Sequence, residues 1–133
     1  MLMKGDIKQV QEIHRKNWGK ELWIVNKEQY CGKILYFHHH KRCSIHYHLE
    51  KDEVFYLLKG KIVIYYSDND FTCKDAEATF LPKSLNKITL LPGETFHVYP
   101  GLRHQMYALE DSELLEISTE HKEEDSVKVE QGD

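Results

Sequence analysis

From Leu22 onward this 133-residue sequence is cut into short runs rich in β-branched and aromatic residues, each too brief for a helix of ordinary length. The runs are Leu22–Val25, Tyr30–Phe37, Ile45–Leu49, Glu53–Leu58, Lys61–Tyr66, Asn86–Leu91, Phe96–Tyr99, Gln105–Leu109 and Ser112–Ser118. Turn formers divide them: Asn26-Lys27-Glu28, Lys51-Asp52, Lys59-Gly60, Ser67-Asp68-Asn69-Asp70, Pro92-Gly93-Glu94 and Pro100-Gly101. Strands recurring about every 8–12 residues predict an all-β sandwich or barrel. Two regions depart from this pattern. Ile7, Val10, Ile13 and His14 sit at helix-like offsets and predict a short helix ending at Gly19. Phe71–Ser84 is irregular, with Asp75-Ala76-Glu77-Ala78 as one helical turn.

The length suits one domain with a real core. We divide it into an amino-terminal segment (1–20), a single β domain (21–119) and an acidic tail (120–133). From Glu110 to the end, ten acids face two bases, Lys122 and Lys128, within a net charge of −4 for the whole chain. That balance argues against nucleic acid as a partner, because such binding draws on clustered cations. No apolar run approaches the roughly 20 residues of a membrane span, and Met1–Asp6 has no signal-like apolar stretch. Cys31, Cys43 and Cys73 are odd in number and form no Cys-x-x-Cys, which suggests neither a disulfide framework nor a thiolate metal site. A reducing, cytoplasmic setting is the expectation.

Nine histidines are many for this length, and their placement carries the functional signal. In His46-Tyr47-His48, residues two apart in a strand project from one face, so two imidazoles stand together. Glu53 follows after a short turn, where a hairpin would return it beside that strand. His104 heads a later run, just after the turn Pro100-Gly101-Leu102-Arg103. Three neutral imidazoles and a carboxylate suit one divalent transition metal, Zn, Mn, Fe, Co or Ni, without choosing among them. His38-His39-His40 reads as a strand end entering a turn, and His97 as a wall or interface residue. His14 and His121 receive no role.

The strings His46-x-His48-x4-Glu53-x6-Gly60 and Gly93-x5-Tyr99-Pro100-Gly101-x2-His104 resemble the two motifs of the cupin superfamily, G-x5-H-x-H-x3,4-E-x6-G and G-x5-P-x-G-x2-H-x3-N. All four ligand positions match, as do Gly60, Gly93 and Gly101. His40 stands at the first glycine, Tyr99 at the proline and Ala108 at the asparagine. The resemblance covers about Trp18 to Ser118 and implies a double-stranded β-helix, a jelly roll with the metal in its mouth. Asn17-Trp18-Gly19, Lys33-Ile34-Leu35, Glu113-Leu114-Leu115-Glu116-Ile117 and Glu124-Asp125-Ser126-Val127 are further similar to the cupin domain of type II phosphomannose isomerases.

That resemblance implies a small-molecule substrate, a sugar or sugar phosphate, isomerised between aldose and ketose through a metal-stabilised enediolate. Glu116, Glu113 and Lys51 are the candidates for moving the proton, Glu116 fitting best by family position. Arg103 could hold a phosphate or carboxylate. The same ligand set also resembles cupin dioxygenases and decarboxylases, and a barrel interior can simply retain a sugar. Period two further places Phe55, Leu57, Met106 and Ala108 on the apolar wall below the metal, with Tyr47, Val54 and Tyr56 facing away. Jelly-roll sheets leave surfaces to cover, so a homodimer is expected.

Overall fold

Alternation along the sequence becomes alternation of burial. In β3 (Cys31–Phe37) every odd residue is buried and every even one is only partly so. β10 (Ser112–Ser118) repeats this, burying Ser112, Leu114, Glu116 and Ser118, and β5 (Glu53–Lys59) buries Glu53, Phe55 and Leu57. Strands of this pattern stabilise only when their apolar faces meet, and here two antiparallel sheets do so. The computed structural model describes residues 7–10, 12–68 and 85–133. The remaining strands are β1 (Ile13–Lys16), β2 (Gly19–Asn26), β4 (Ile45–His48), β6 (Ile62–Ser67), β7 (Asn86–Leu90), β8 (Thr95–Val98), β9 (Arg103–Ala108) and β11 (Ser126–Glu130). One sheet runs β1-β2-β3-β10-β5-β8 and the other β11-β4-β9-β6-β7, giving the all-β jelly roll expected.

Leu57, Ile62, Ile64, Ala108 and Leu114 are fully buried between the sheets and fill the barrel. Ile45 and Val129 form a smaller cluster with Leu85. Across β2, β3, β10 and β5, Leu22, Ile34, Leu115 and Tyr56 lie in register on the opposite, outer face.

Three expectations require correction. Among the described residues no helix precedes Gly19: β1 is an edge strand paired with β2 from Ile13↔Leu22 to Lys16↔Gly19, and Ile13 is exposed. Its apolar spacing therefore did not report a buried face. The acidic end is not a free tail, because a 3-10 turn at Glu123–Asp125 leads into β11, which pairs with β4. Glu53 does not return beside His48 in a hairpin. β4 and β5 belong to different sheets, and Glu53 faces His48 across the interior. The expectations for Phe71–Ser84, and Cys73 with them, lie outside the described residues.

The motif glycines have a backbone cause. Gly60 has φ 98°, and a side chain there would also meet the backbone of Asp111 and Ser112. His40, at the position of the motif's first glycine, has φ 63° and is the one non-glycine described with positive φ. The turn thus holds an L-residue in the left-handed region, at a cost of about 1–2 kcal/mol. His40→Gly should raise stability by about 1 kcal/mol, offset in part by the larger freedom of an unfolded glycine. Chemical denaturation measures this, and a destabilised variant would show that the imidazole contributes more than the turn loses.

Candidate metal centre

The histidines are brought together by strand pairing. His46 on β4 is the direct partner of His104 on β9, and their ring centroids are 4.3 Å apart. His48 stands two residues along the same face, 5.2 Å from His46. One ligand nitrogen from each of the three lies within 4.8 Å of the others. Glu53 approaches from the other sheet, its Oε2 at 3.3 Å from His48 Nε2 and 3.5 Å from His104 Nε2.

Each imidazole is aimed by its far nitrogen. His46 Nδ1 lies 3.0 Å from Ser44 O and His104 Nδ1 lies 2.9 Å from Leu102 O, so each donates there and turns an unprotonated Nε2 inward. His48 Nδ1 is held 3.0 Å from Ser126 Oγ, on β11. Once so held, His48 Nε2, His104 Nε2 and Glu53 Oε2 are buried with no hydrogen-bond partner among the described residues. Buried orphans that converge are costly unless something completes them, and three neutral nitrogens with a carboxylate oxygen fit a divalent transition metal. Burial, the largest influence, pushes His46 well below its usual pKa, and neighbouring His104 and His48 push the same way. Burial also lowers His104, against the pull of Glu53. Burial alone would raise Glu53, but the His48 contact and the Lys51 charge outweigh it and hold the carboxyl well below the usual range. All these shifts favour the protonation states a metal needs.

A second cluster abuts the first. Lys51 is 2% exposed, and its Nζ sits 2.6 Å from Glu116 Oε2, 3.2 Å from Glu53 Oε1 and 3.0 Å from His121 Nδ1. Asp125 fixes the turn that presents it, accepting from Glu50 N at 2.8 Å and Lys51 N at 2.9 Å. Burial would lower Lys51, but Glu116 and Glu53 raise it overall, so it stays cationic. Glu116 goes up instead, through burial first and the Glu53 charge second, against the opposing pull of Lys51. Ser118 Oγ donates to Glu116 Oε2 at 3.0 Å. With Oε2 thus engaged twice, Oε1 has no bonded partner among the described residues. Two carboxylates joined by one lysine are therefore driven apart in proton affinity, which is the arrangement acid–base chemistry uses.

Both clusters open into one cavity of about 520 Å³, walled by Trp18, Leu35, Phe55 and Met106. Of the wall expected from sequence, Phe55 and Met106 line it, whereas Leu57 and Ala108 lie in the filled core and are not part of the lining. Tyr47, Val54 and Tyr56 face away as expected. Arg103 requires correction as a substrate anchor. Adjacent to His104 on a strand, it projects oppositely, stacks 3.7 Å above the Tyr47 ring and donates to Gly101 O at 2.6 Å, outside the cavity lining. Glu113 does not line this cavity either. His38, His39 and His40 are exposed at the turn, and exposed His97 pairs with Asp52 at 2.6 Å rather than forming a wall. Sequence reading missed His121 and Lys33. A lysine alternating with Cys31, Leu35 and Phe37 was the available signal for Lys33.

No family model matches the chain, and no curated protein matches it in sequence. Solved structures do match. KdgF from Halomonas sp. has a TM-score of 0.66 at 15% identity, over 86% of this chain and 92% of that one. The capsular polysaccharide assembling protein CapF from Staphylococcus aureus has a TM-score of 0.73 at 14% identity, covering 97% of this chain but only 34% of CapF. An L-ribose isomerase from Cellulomonas parahominis, solved with L-psicose, has a TM-score of 0.67 at 15% identity, over 82% and 68% of the two chains. The shared architecture shows that this chain has the cupin fold, a double-stranded β-helix. None of its described helices is long and apolar enough to cross a membrane.

Proposed function

We propose that this domain is a metal-dependent aldose–ketose isomerase acting on a small sugar or sugar phosphate. The observation that carries the reading is Glu116, a buried carboxyl of raised pKa whose Oε1 has no bonded partner among the described residues, facing the same cavity as His46, His48 and Glu53. Similarity in fold to an L-ribose isomerase supports it. His46, His48, Glu53 and His104 would hold one divalent ion, which supplies Lewis-acid stabilisation of charge on adjacent sugar oxygens. Glu116 Oε1 takes the proton from the carbon beside the carbonyl and returns it to the former carbonyl carbon. In the aldose-to-ketose direction the C2–H bond breaks and its electron pair enters the C1–C2 bond while the carbonyl π pair moves to O1. The C2 hydroxyl proton passes to O1, the carbonyl re-forms at C2 and the new C–H bond forms on C1, so no redox partner is required. Lys51 and Ser118 hold the other carboxylate oxygen, which fixes the direction of Oε1. Trp18, Phe55 and Met106 give the cavity an apolar wall.

The test is anaerobic incubation in deuterated water with aldopentoses, aldohexoses and their terminal phosphates, followed by analysis of deuterium at C2. Glu116→Gln should lower exchange about 10²–10⁴-fold while leaving metal content unchanged. Absence of exchange across the whole set overturns the reading. Oxygen uptake or carbon dioxide release would favour the dioxygenase or decarboxylase chemistry that the same donor set supports, and a sugar bound and released unchanged would favour a binding module. The homodimer we assign to the outer sheet face bearing Leu22, Ile34, Tyr56, Leu115 and the 56% exposed Ile117. A monomeric mass in sedimentation would exclude it.

A further inference from the structure

Lys33 is a charged side chain on the inner face of β3, 2% exposed, in a row between Trp23 on β2 and Glu116 on β10. Its ammonium lies 4.0 Å over the Trp23 ring. The nearest acceptor, Glu21 Oε1, is 3.6 Å away, beyond hydrogen-bond length. That oxygen already accepts from Trp23 Nε1 at 2.9 Å. Glu116, its register partner on β10, forms no ion pair with it among the described residues, and its Oε2 is committed to Lys51 and Ser118. A buried ammonium carries three donors and no acceptor. Lys33 has a cation–π contact and a long ion pair, and no hydrogen bond among the described residues. An amine held this way costs stability unless the cavity it lines brings an acceptor.

The surroundings narrow what that acceptor is. The exposed lining residues Arg15, Lys16 and Lys128 face Glu123 and Asp133, three cations to two anions, so the rim carries only a small positive excess. Lys33 is placed deeper, on the six-stranded sheet, whereas the imidazoles stand on the facing sheet. A sugar whose reacting end lies at the imidazoles can extend its far end toward Lys33. Arg103, the cation suggested by sequence for this task, is outside the cavity.

We infer that Lys33 is the anchor for an anionic substituent, a carboxylate or a phosphate, on the sugar that the cavity takes; the inference rests on the isomerase reading and narrows its substrate class. Neutral sugars are then poor ligands, and the anion sets which end of the sugar reaches the imidazoles.

The test is calorimetric titration of the metal-loaded protein with mannose, mannuronate and mannose 6-phosphate, and with inorganic phosphate as competitor. The expected result is binding of one of the anionic sugars at least about tenfold tighter than mannose, the scale of one charge-assisted hydrogen bond. Lys33→Met should erase that margin with metal content and melting temperature retained, and Lys33→Arg should restore part of it. Mannuronate preferred, with no competition by phosphate, identifies a sugar acid. Mannose 6-phosphate preferred, with competition, identifies a sugar phosphate. Equal binding of all three sugars, binding of none, or a margin that survives in Lys33→Met overturns the assignment. If Lys33→Met does not fold, Lys33→Gln is titrated in its place. An anionic preference lost in Lys33→Met but unaccompanied by deuterium exchange would refute the isomerase reading alone.

Discussion

Replacing His46 and His48 together with alanine abolishes divalent-metal binding and leaves the domain folded. Both imidazoles are held from behind, by Ser44 O and Ser126 Oγ, and present Nε2 to a point that Glu53 Oε2 and His104 Nε2 also face. Removing two of four donors leaves a site too poor for tight binding. Neither residue belongs to the apolar clusters that close the barrel, so the cost to the metal-free fold is the two outer hydrogen bonds and the small void left behind. Deleting the buried, unpartnered His48 Nε2 offsets part of that cost. Metal analysis of purified protein should fall from one equivalent to background. Thermal denaturation gives an independent reading. A ligand at a thousand times its Kd stabilises by about 4 kcal/mol, so metal should raise the melting temperature of the parent and not of the variant. Full metal occupancy in the variant would refute the site, and an unfolded variant would show that the imidazoles support structure rather than a ligand.

Much of this architecture could be read from period-two patterning. Ser112–Ser118 was delimited to the residue, and β4, β5, β6 and β7 to within one or two. The reason is physical: a strand packed on one face must alternate, and its turns need residues able to change direction. The failures fall where burial is weak. β1 is an edge strand whose residues are mostly exposed, so no apolar face was there to set a period. β11 buries only Val129 well, and its flanking acids concealed it. One of those acids, Asp125, is buried and caps the turn that carries Lys51. An acidic run can thus hold a structural carboxylate that composition alone does not distinguish.

For the site, the legible part was the part with fixed spacing. His46, His48, Glu53 and His104 were assigned from strand faces and motif intervals, and they converge. The hairpin invoked to bring Glu53 back was wrong, since residues on two sheets met across the interior instead. Glu116 was ambiguous because both faces of β10 carry apolar and charged residues, and only the pairing with β3 and β5 fixes it inward. Arg103 was a candidate anchor as the neighbour of His104, yet adjacency in a strand means opposite faces. Lys33 and His121 were passed over because their partners, Trp23, Glu21 and Lys51, are distant in sequence.

Acidification from pH 7 towards pH 5 should destabilise the metal-free domain before its carboxylates titrate. Burial keeps the folded His46 and His104 neutral below the usual imidazole pKa of about 6.5. The unfolded chain therefore takes up protons first. Stability from these groups is fully present above about pH 6.5 and is lost as pH falls toward their folded values, by at most about 1.4 kcal/mol per group per pH unit. His121, lowered chiefly by burial and next by the Lys51 charge, acts in the same sense. Glu53 is held low and contributes only in a separate window, with stability present above about pH 4.5 and lost in stronger acid. Glu116 has the opposite sign, because its raised folded pKa favours the folded state below the unfolded value and is lost as pH rises through the folded one. Glu116→Gln should therefore remove an opposing contribution and steepen the loss of stability on acidification above about pH 4.5. The same burial alters the metal. Composition alone places proton competition below about pH 6, but imidazoles already held neutral by their surroundings postpone it to lower pH. Denaturant titrations with a chelator across pH 5–8, paired with metal titrations, measure both effects. Stability that stays level or rises on acidification would mean that the imidazoles are not held neutral by burial, and the orphaned Nε2 atoms would then be protonated partners of Glu53 rather than open ligands.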